Sequence, residues 1–153
     1  MNSPLQLERY HLVAVRLEPT GLERPAERQD VHVQVTVGHL ADNVREWRVE
    51  LTVDFGGREN PCAPFHGSVR MEGFFVVHPE FPEAKVESLV RVNGAAILYG
   101  AIRETVSNLT ARSRTGMYVL PSISFLDLLD KKKGAKSKTA IPGSRTVRRQ
   151  SGS

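Results

Sequence analysis

A single cysteine, Cys62, stands in 153 residues. No internal disulfide can form, so a small secreted scaffold stapled by disulfides is excluded. No apolar run approaches the roughly 20 residues of a membrane-spanning helix. The opening residues Met1-Asn2-Ser3-Pro4 lack the basic segment and apolar core of a secretory signal. Cytoplasmic residence is therefore the default expectation. Also missing are Gly-x-Gly-x-x-Gly, Gly-x-x-x-x-Gly-Lys-Ser/Thr and Gly-x-Ser-x-Gly, the loops that cradle phosphates or present a nucleophile. The five histidines, His11, His32, His39, His66 and His78, show no i, i+4 helical spacing and no pairing with cysteine. Cys62 lies between Pro61 and Ala63 without the signature of a catalytic base. Asn108-Leu109-Thr110 fits the glycosylation pattern but falls on a predicted helix, where a chance match is the better reading. Neither an enzyme nor a bound metal or cofactor is expected.

Acidic residues are absent from 131–153, which carries eight basic ones: Lys131, Lys132, Lys133, Lys136, Lys138, Arg145, Arg148 and Arg149. Residues 1–130 hold 13 basic and 17 acidic residues, a net charge of −4. The formal +4 of the whole chain is thus a mildly acidic domain, 1–130, joined to a basic tail, 131–153. The tail is rich in Gly, Ser and Lys and is expected to be disordered. It is either an electrostatic arm for nucleic acid, ribosome, acidic protein or anionic lipid, or a solubilising extension.

Hydrophobic content is 40%, enough for one core. Arg9–Glu18 reads as a strand with apolar residues on both faces, ended by Pro19 and Gly21. Pro19–Asp30 is a polar loop with one apolar residue, Leu22. Val31–Val37 alternates strictly. So does Glu46–Phe55, with Trp47, Val49, Leu51, Val53 and Phe55 against Glu46, Arg48, Glu50, Thr52 and Asp54. Phe65–Val77 is a fourth strand, with a bulge expected near Gly73. Short links between the strands imply an antiparallel sheet with the first and last strands at its edges. Apolar residues on both faces of Arg9–Glu18 imply a covered edge, as in a dimer.

The period then changes. Glu83–Val92 reads as a short helix interrupted by Asn93-Gly94. Ala95–Arg112 places Ala95, Leu98, Ile102, Val106 and Leu109 at three- and four-residue spacing, an amphipathic helix. Gly100 inside it marks a close helix contact. Tyr118–Pro121 is extended, and Ser124–Asp130 is a short second helix. The fold class is α+β: a four-stranded antiparallel sheet followed by a long amphipathic helix and a short second helix packed on one face.

RNA binding on the sheet requires exposed aromatics, but Trp47 and Phe55 share the face assigned to the core. A body at −4 also repels phosphate, which leaves nucleic-acid binding to the tail alone. Apolar surface remains at Leu22, Val33, Val35, Tyr118–Leu120 and Phe125–Leu129. It either borders a groove for extended, partly unfolded chains or fills the core and a subunit interface. Periodicity favours the second.

The run Ile97-Leu98-Tyr99-Gly100-Ala101-Ile102-Arg103-Glu104 resembles the long helix of the SecB chaperone family, which typically reads I-L-F-P-Y-A-R-E. Ile97, Leu98, Arg103 and Glu104 match, and Tyr99 replaces Phe conservatively. Gly100-Ala101 stand where the family has Pro-Tyr. Met117–Pro121 and Ser124-Phe125 are similar to its apolar segment and second helix. The resemblance implies an ATP-independent holdase for unfolded polypeptides serving export, with a translocase motor as partner and a dimer-of-dimers homo-oligomer. It assigns Leu22, Val33, Val35, Tyr118, Val119, Leu120, Phe125 and Leu129 to a client groove. Tyr99, Ile102, Arg103 and Val106 it assigns to the oligomer interface. A dedicated chaperone of one partner, such as an antitoxin, and an adaptor tethered by its basic tail are the alternatives.

Overall fold

The computed structural model of the protein describes residues 2–128. The boundary expected at 130, residue Leu129 and the tail 131–153 lie outside the described residues.

Four strands, β1 (Leu5–Pro19), β2 (Val31–Leu40), β3 (Asn43–Phe55) and β4 (Phe65–Val77), form one antiparallel sheet in the order β1-β4-β3-β2. The edges are therefore β1 and β2, whereas the sequence pointed to the first and last strands. Alternation locates a strand but does not name its neighbours, and here β4 is flanked on both sides. Gly67 helps admit β1, because a Cβ there would collide with the Arg16 carbonyl oxygen.

The bulge expected near Gly73 is not in β4, whose register against β3 is unbroken. The irregularities lie in β1, between Leu7 and Arg9 and between Leu12 and Ala14. β4 alternates regularly instead, with Phe75 and Val77 buried and Phe74 turned outward. The Arg9 guanidinium lies 4.1 Å from the Phe74 ring centroid and covers that outward aromatic.

After β4 the chain forms one helical run over 83–110, here α1. It begins with a 3-10 turn (Glu83–Lys85) and an α turn (Val86–Leu89). A π turn (Val90–Gly94) and an α-helix (Ala95–Thr110) complete it. The interruption foreseen at Asn93-Gly94 is thus a π turn inside a continuous helix. Gly94 costs roughly 1 kcal/mol of helix propensity relative to Ala, but it is where α1 touches the sheet. A Cβ there would stand 3.0 Å from Val49 Cγ2. Gly73 does the same from the sheet side, leaving room for Leu98, whose Cδ2 lies 3.0 Å from its ideal Cβ position. Gly100 is exposed, with nothing within 4 Å of its ideal Cβ position in the single chain, and the close approach of α1 to the sheet sits at Gly94.

The core lies between α1 and the inward face of the sheet. Val49, Leu51, Val53, Val69, Leu98, Ile102 and Val106 are each 0% exposed. Beyond α1, a turn at Ser113–Gly116 reverses the chain. The Gly116 N–H donates to the Ser113 carbonyl at 3.1 Å, and the φ of 88° at Gly116 favours glycine. Residues 117–125 then run extended, and Asp127-Leu128 begin a helical turn. Only this start of the second helix expected over Ser124–Asp130 falls within the described residues.

Candidate functional site

Polar side chains on one stripe of α1 hold the extended segment 117–125, here called the strap, by its main chain. The Tyr118 N–H donates to Thr110 Oγ1 at 2.8 Å, and the Thr110 hydroxyl donates back to the Val106 carbonyl at 2.8 Å. Ser107 Oγ donates to the Tyr118 carbonyl at 3.4 Å. Arg103 Nε donates to the Leu120 carbonyl at 3.0 Å, and the Tyr99 hydroxyl to the Pro121 carbonyl at 2.5 Å. Positions 99, 103, 107 and 110 succeed one another by four, four and three residues, one face of a helix. Strap numbers rise as helix numbers fall, so the strap runs back along α1. Each such bond adds a net of about 0.5–1.5 kcal/mol, and each would leave a costly unpaired group if broken in place.

Apolar side chains anchor the strap beneath these bonds. Tyr118, Leu120, Phe125 and Leu128 are buried in the core cluster. The Phe125 ring meets Tyr99 edge-on at 5.8 Å between centroids, and the Tyr118 ring lies 6.1 Å from Phe55. Burial pushes the Tyr99 hydroxyl up to about 12, opposed in part by the Arg103 charge. Burial likewise pushes Tyr118 up to about 12, with Cys62 and Tyr99 adding to the shift.

The loop between β1 and β2 passes from one edge of the sheet to the other and meets the strap. The Tyr118 hydroxyl donates to Gln29 Oε1 at 2.6 Å. The loop is tied down by Thr20, whose N–H donates to the Pro64 carbonyl at 2.9 Å and whose hydroxyl donates to the Ala63 carbonyl at 2.5 Å. Further along, the Ala26 N–H donates to the Cys62 carbonyl at 2.8 Å. Leu22, on this loop, is exposed.

A second apolar region is open to solvent along β1. Tyr10, Leu12 and Val15 pair with Gly73, Met71 and Val69, so they point to the helix side of the sheet. α1 covers the β3–β4 half and leaves them 50%, 45% and 41% exposed. A hollow of about 210 Å³ separates β1 from α1, lined by Leu7, Tyr10, Ile97, Leu98, Ala101 and Glu104. The Arg103-Glu104 pair thus divides, Arg103 serving the strap and Glu104 lining this hollow.

The outer face of the sheet is a mixed-charge ladder. Glu72 on β4 accepts from Arg48 Nε on β3 and lies 2.7 Å from His11 Nε2 on β1. Burial alone would raise Glu72. The hydrogen bonds and charges of Arg48 and His11 outweigh it and hold the carboxyl below its ordinary value. Glu50 lies 3.8 Å from both Arg48 and Arg70, and His66 lies 3.3 Å from Glu18. A hollow of about 260 Å³ at the end of this face has Phe55 in its wall and charges of both signs around it, from Arg16, Asp30, Asp54 and Arg58. Among the described residues no cluster of His, Cys, Asp and Glu is arranged to hold a metal ion. No helix there is long and apolar enough to cross a membrane.

Of the groove residues expected from the sequence, the structure exposes Leu22 and Val119 and buries Val33, Val35, Tyr118, Leu120 and Phe125. Leu129 is outside the described residues. Burial follows from alternation: Val119 points away from α1 while its neighbours Tyr118 and Leu120 point in. The four residues assigned to an oligomer interface are engaged within the chain. Ile102 and Val106 lie in the core, and Tyr99 and Arg103 hold the strap. Sequence reasoning missed the strap's polar clamp. Its signal was present in the polar positions 99, 103, 107 and 110 bordering the apolar stripe. It also missed the open hollow beside Ile97.

No protein-family model matches the sequence, and no curated protein matches it. Among solved structures, the chain is similar to a SecB-like chaperone of Mycobacterium tuberculosis, solved in complex with a peptide from an antitoxin. The TM-score is 0.53 at 17% identity, over 79% of this chain and 91% of that one. A protein of unknown function from Streptococcus agalactiae matches with a TM-score of 0.45 at 14% identity, over 77% of this chain and 97% of that one. The first likeness establishes the fold: an open four-stranded antiparallel sheet followed by a long helix, as in the SecB-like chaperone.

Proposed function

We propose that this protein is an ATP-independent chaperone that holds non-native polypeptide in extended form. The observation that carries the reading is the strap: an extended, apolar stretch of chain bound through its main chain by a row of helix side chains. Main-chain recognition is indifferent to sequence, and apolar slots add affinity without demanding a particular residue. The fold shared with a SecB-like chaperone supports the same reading. Exposed Leu22, Met117, Val119 and Leu126 offer apolar contact on the loop, the strap and the helical turn after it. Val33, Val35 and Leu129 complete the proposed client surface, and Tyr118, Leu120 and Phe125 mark the apolar track along α1 that a client would use. The open flank of β1, with Tyr10, Leu12 and Val15, is the proposed seam of a homo-oligomer. Tyr99, Ile102, Arg103 and Val106 shape that assembly by positioning α1.

A second reading, a dedicated chaperone of one partner, has its own support. The SecB-like neighbour holds an antitoxin peptide. In the family that the sequence resembles, the export motor docks on an acidic sheet face. Here Glu50 and Glu72 are engaged by Arg48, Arg70 and His11, which weakens the case for export. Fluorescence anisotropy against several unrelated unfolded polypeptides, without nucleotide, separates the readings. A general holdase binds most of them with similar affinity, and a dedicated chaperone binds one partner's segment alone. Binding of none, with a partner segment included, contradicts both.

A further inference from the structure

We propose that the strap is a displaceable occupant, and that a client's extended backbone takes its place on the same α1 stripe. The inference rests on the chaperone reading above. The stripe's hydrogen bonds to the strap all go to main-chain atoms, the Tyr118 N–H and the carbonyls of Tyr118, Leu120 and Pro121, and the Tyr99 ring adds an edge-on contact with Phe125. Nothing in those bonds requires this sequence. Any extended segment offering a carbonyl to Arg103 and another to Tyr99 fits, with apolar side chains on the inward side. Within the strap, Pro121 has no N–H to give and is held at its carbonyl. The strap's other holds on the body are the Tyr118 hydroxyl on Gln29, a contact with a loop, and the apolar anchors Tyr118, Leu120 and Phe125.

The exchange also accounts for the burial of Tyr118, Leu120 and Phe125. An apolar track left empty would draw other copies of the chain together. Filled by the chain's own strap, the track stays covered until a better occupant arrives. The client is therefore an extended polypeptide with apolar residues at alternate positions, because alternate side chains of a strand face the same way. The exchange is reversible and needs no nucleotide, since each bond lost by the strap is remade by the client.

Hydrogen exchange on the full chain tests the proposal, with reduced, carboxymethylated α-lactalbumin as the unfolded probe. Without probe, the Tyr118 amide is protected by Thr110. With saturating probe its exchange accelerates on the order of tenfold or more. Probe that binds while Tyr118 keeps its protection overturns the inference and leaves the chaperone reading standing. Failure of the probe, and of any partner segment, to bind overturns both. A strap-side variant gives the second arm. Phe125→Ala removes an anchor of the strap and leaves the α1 donors intact. With circular dichroism unchanged, it is expected to bind the probe several-fold tighter. Unchanged or weaker binding by a folded Phe125→Ala protein contradicts displacement.

Discussion

Arg103 Nε donates to the main-chain carbonyl of Leu120 at 3.0 Å. The bond explains a charge that looked out of place beside an apolar helix stripe. Arg103 is bound to the extended segment that follows its own helix, and its guanidinium satisfies an acceptor that would otherwise be left bare against the core. Tyr99, one turn earlier, does the same for Pro121. Together they turn one side of α1 into a binding track for backbone.

Arg103→Met keeps much of the apolar stem and removes the donor. It is expected to destabilise the protein by about 1.5–3 kcal/mol, the range for a hydrogen bond from a charged group. Urea denaturation measures the loss. A change within experimental scatter would mean that the Leu120 carbonyl finds an equivalent partner.

Glycine substitutions are expected to divide by position. Gly100 is exposed, with open space at its missing Cβ, so Gly100→Ala is expected to stabilise α1 by up to about 1 kcal/mol. Gly73 faces Leu98 and Phe75, so Gly73→Val is expected to cost about 1–3 kcal/mol through overpacking. Thermal melts of both variants against the parent check the two signs.

These glycines mark where the sequence was and was not legible. Alternation from Trp47 to Phe55 located β3 and its buried face, because a half-buried strand writes its environment into every second residue. The run from Ala95 gave the amphipathic part of α1 for the corresponding helical reason. Gly94 misled, because local propensity favours a break there while contact with Val49 favours the absence of a side chain, and the contact prevails. Strand order was illegible because β1 and β4 are joined by pairings such as Leu5 with Val77, far apart in sequence. The strap was legible as extended chain from Tyr118–Pro121, but its partners on α1 were not, since nothing local in 117–121 names Thr110 or Arg103. The candidate groove residues were chosen for being apolar, and most of them fill the core for that same reason.

Stability is expected to fall at both ends of the pH range. The native Glu72 carboxyl sits below its ordinary value of 4.5, so the unfolded chain takes up the proton first. Its contribution is present above that value and is lost as pH falls through and below it. For Tyr99 and Tyr118, burial pushes the native hydroxyls up to about 12 from the ordinary 10.0. The unfolded chain ionises first, and stability is lost as pH rises above 10.0. Urea midpoints across pH check this, and Tyr118→Phe is expected to flatten the alkaline side.

The open flank of β1 predicts self-association. Leu12→Lys places a charge among Tyr10, Val13 and Val15, all of them exposed in the single chain. It is expected to shift the protein towards monomer in light scattering coupled to gel filtration, with little loss of monomer stability. A parent protein that is itself monomeric would remove the case for this seam.

Substitutions that test the client surface belong at exposed positions. Leu120 is 0% exposed and Phe125 5%, so Leu120→Asp or Phe125→Asp would bury a carboxylate and confuse binding with folding. Leu22→Asp and Val119→Asp avoid that, and together are expected to weaken binding of an unfolded polypeptide several-fold with the fold unchanged. Anisotropy titration reads the effect, and undiminished binding would place the client elsewhere.

The central claim is most directly tested by light scattering. A chemically unfolded, aggregation-prone protein is diluted into this one without ATP. The account predicts suppression of scattering at near-stoichiometric amounts. Full aggregation at excess would contradict a general holdase, and equally full aggregation of a dedicated partner would contradict the chaperone reading altogether.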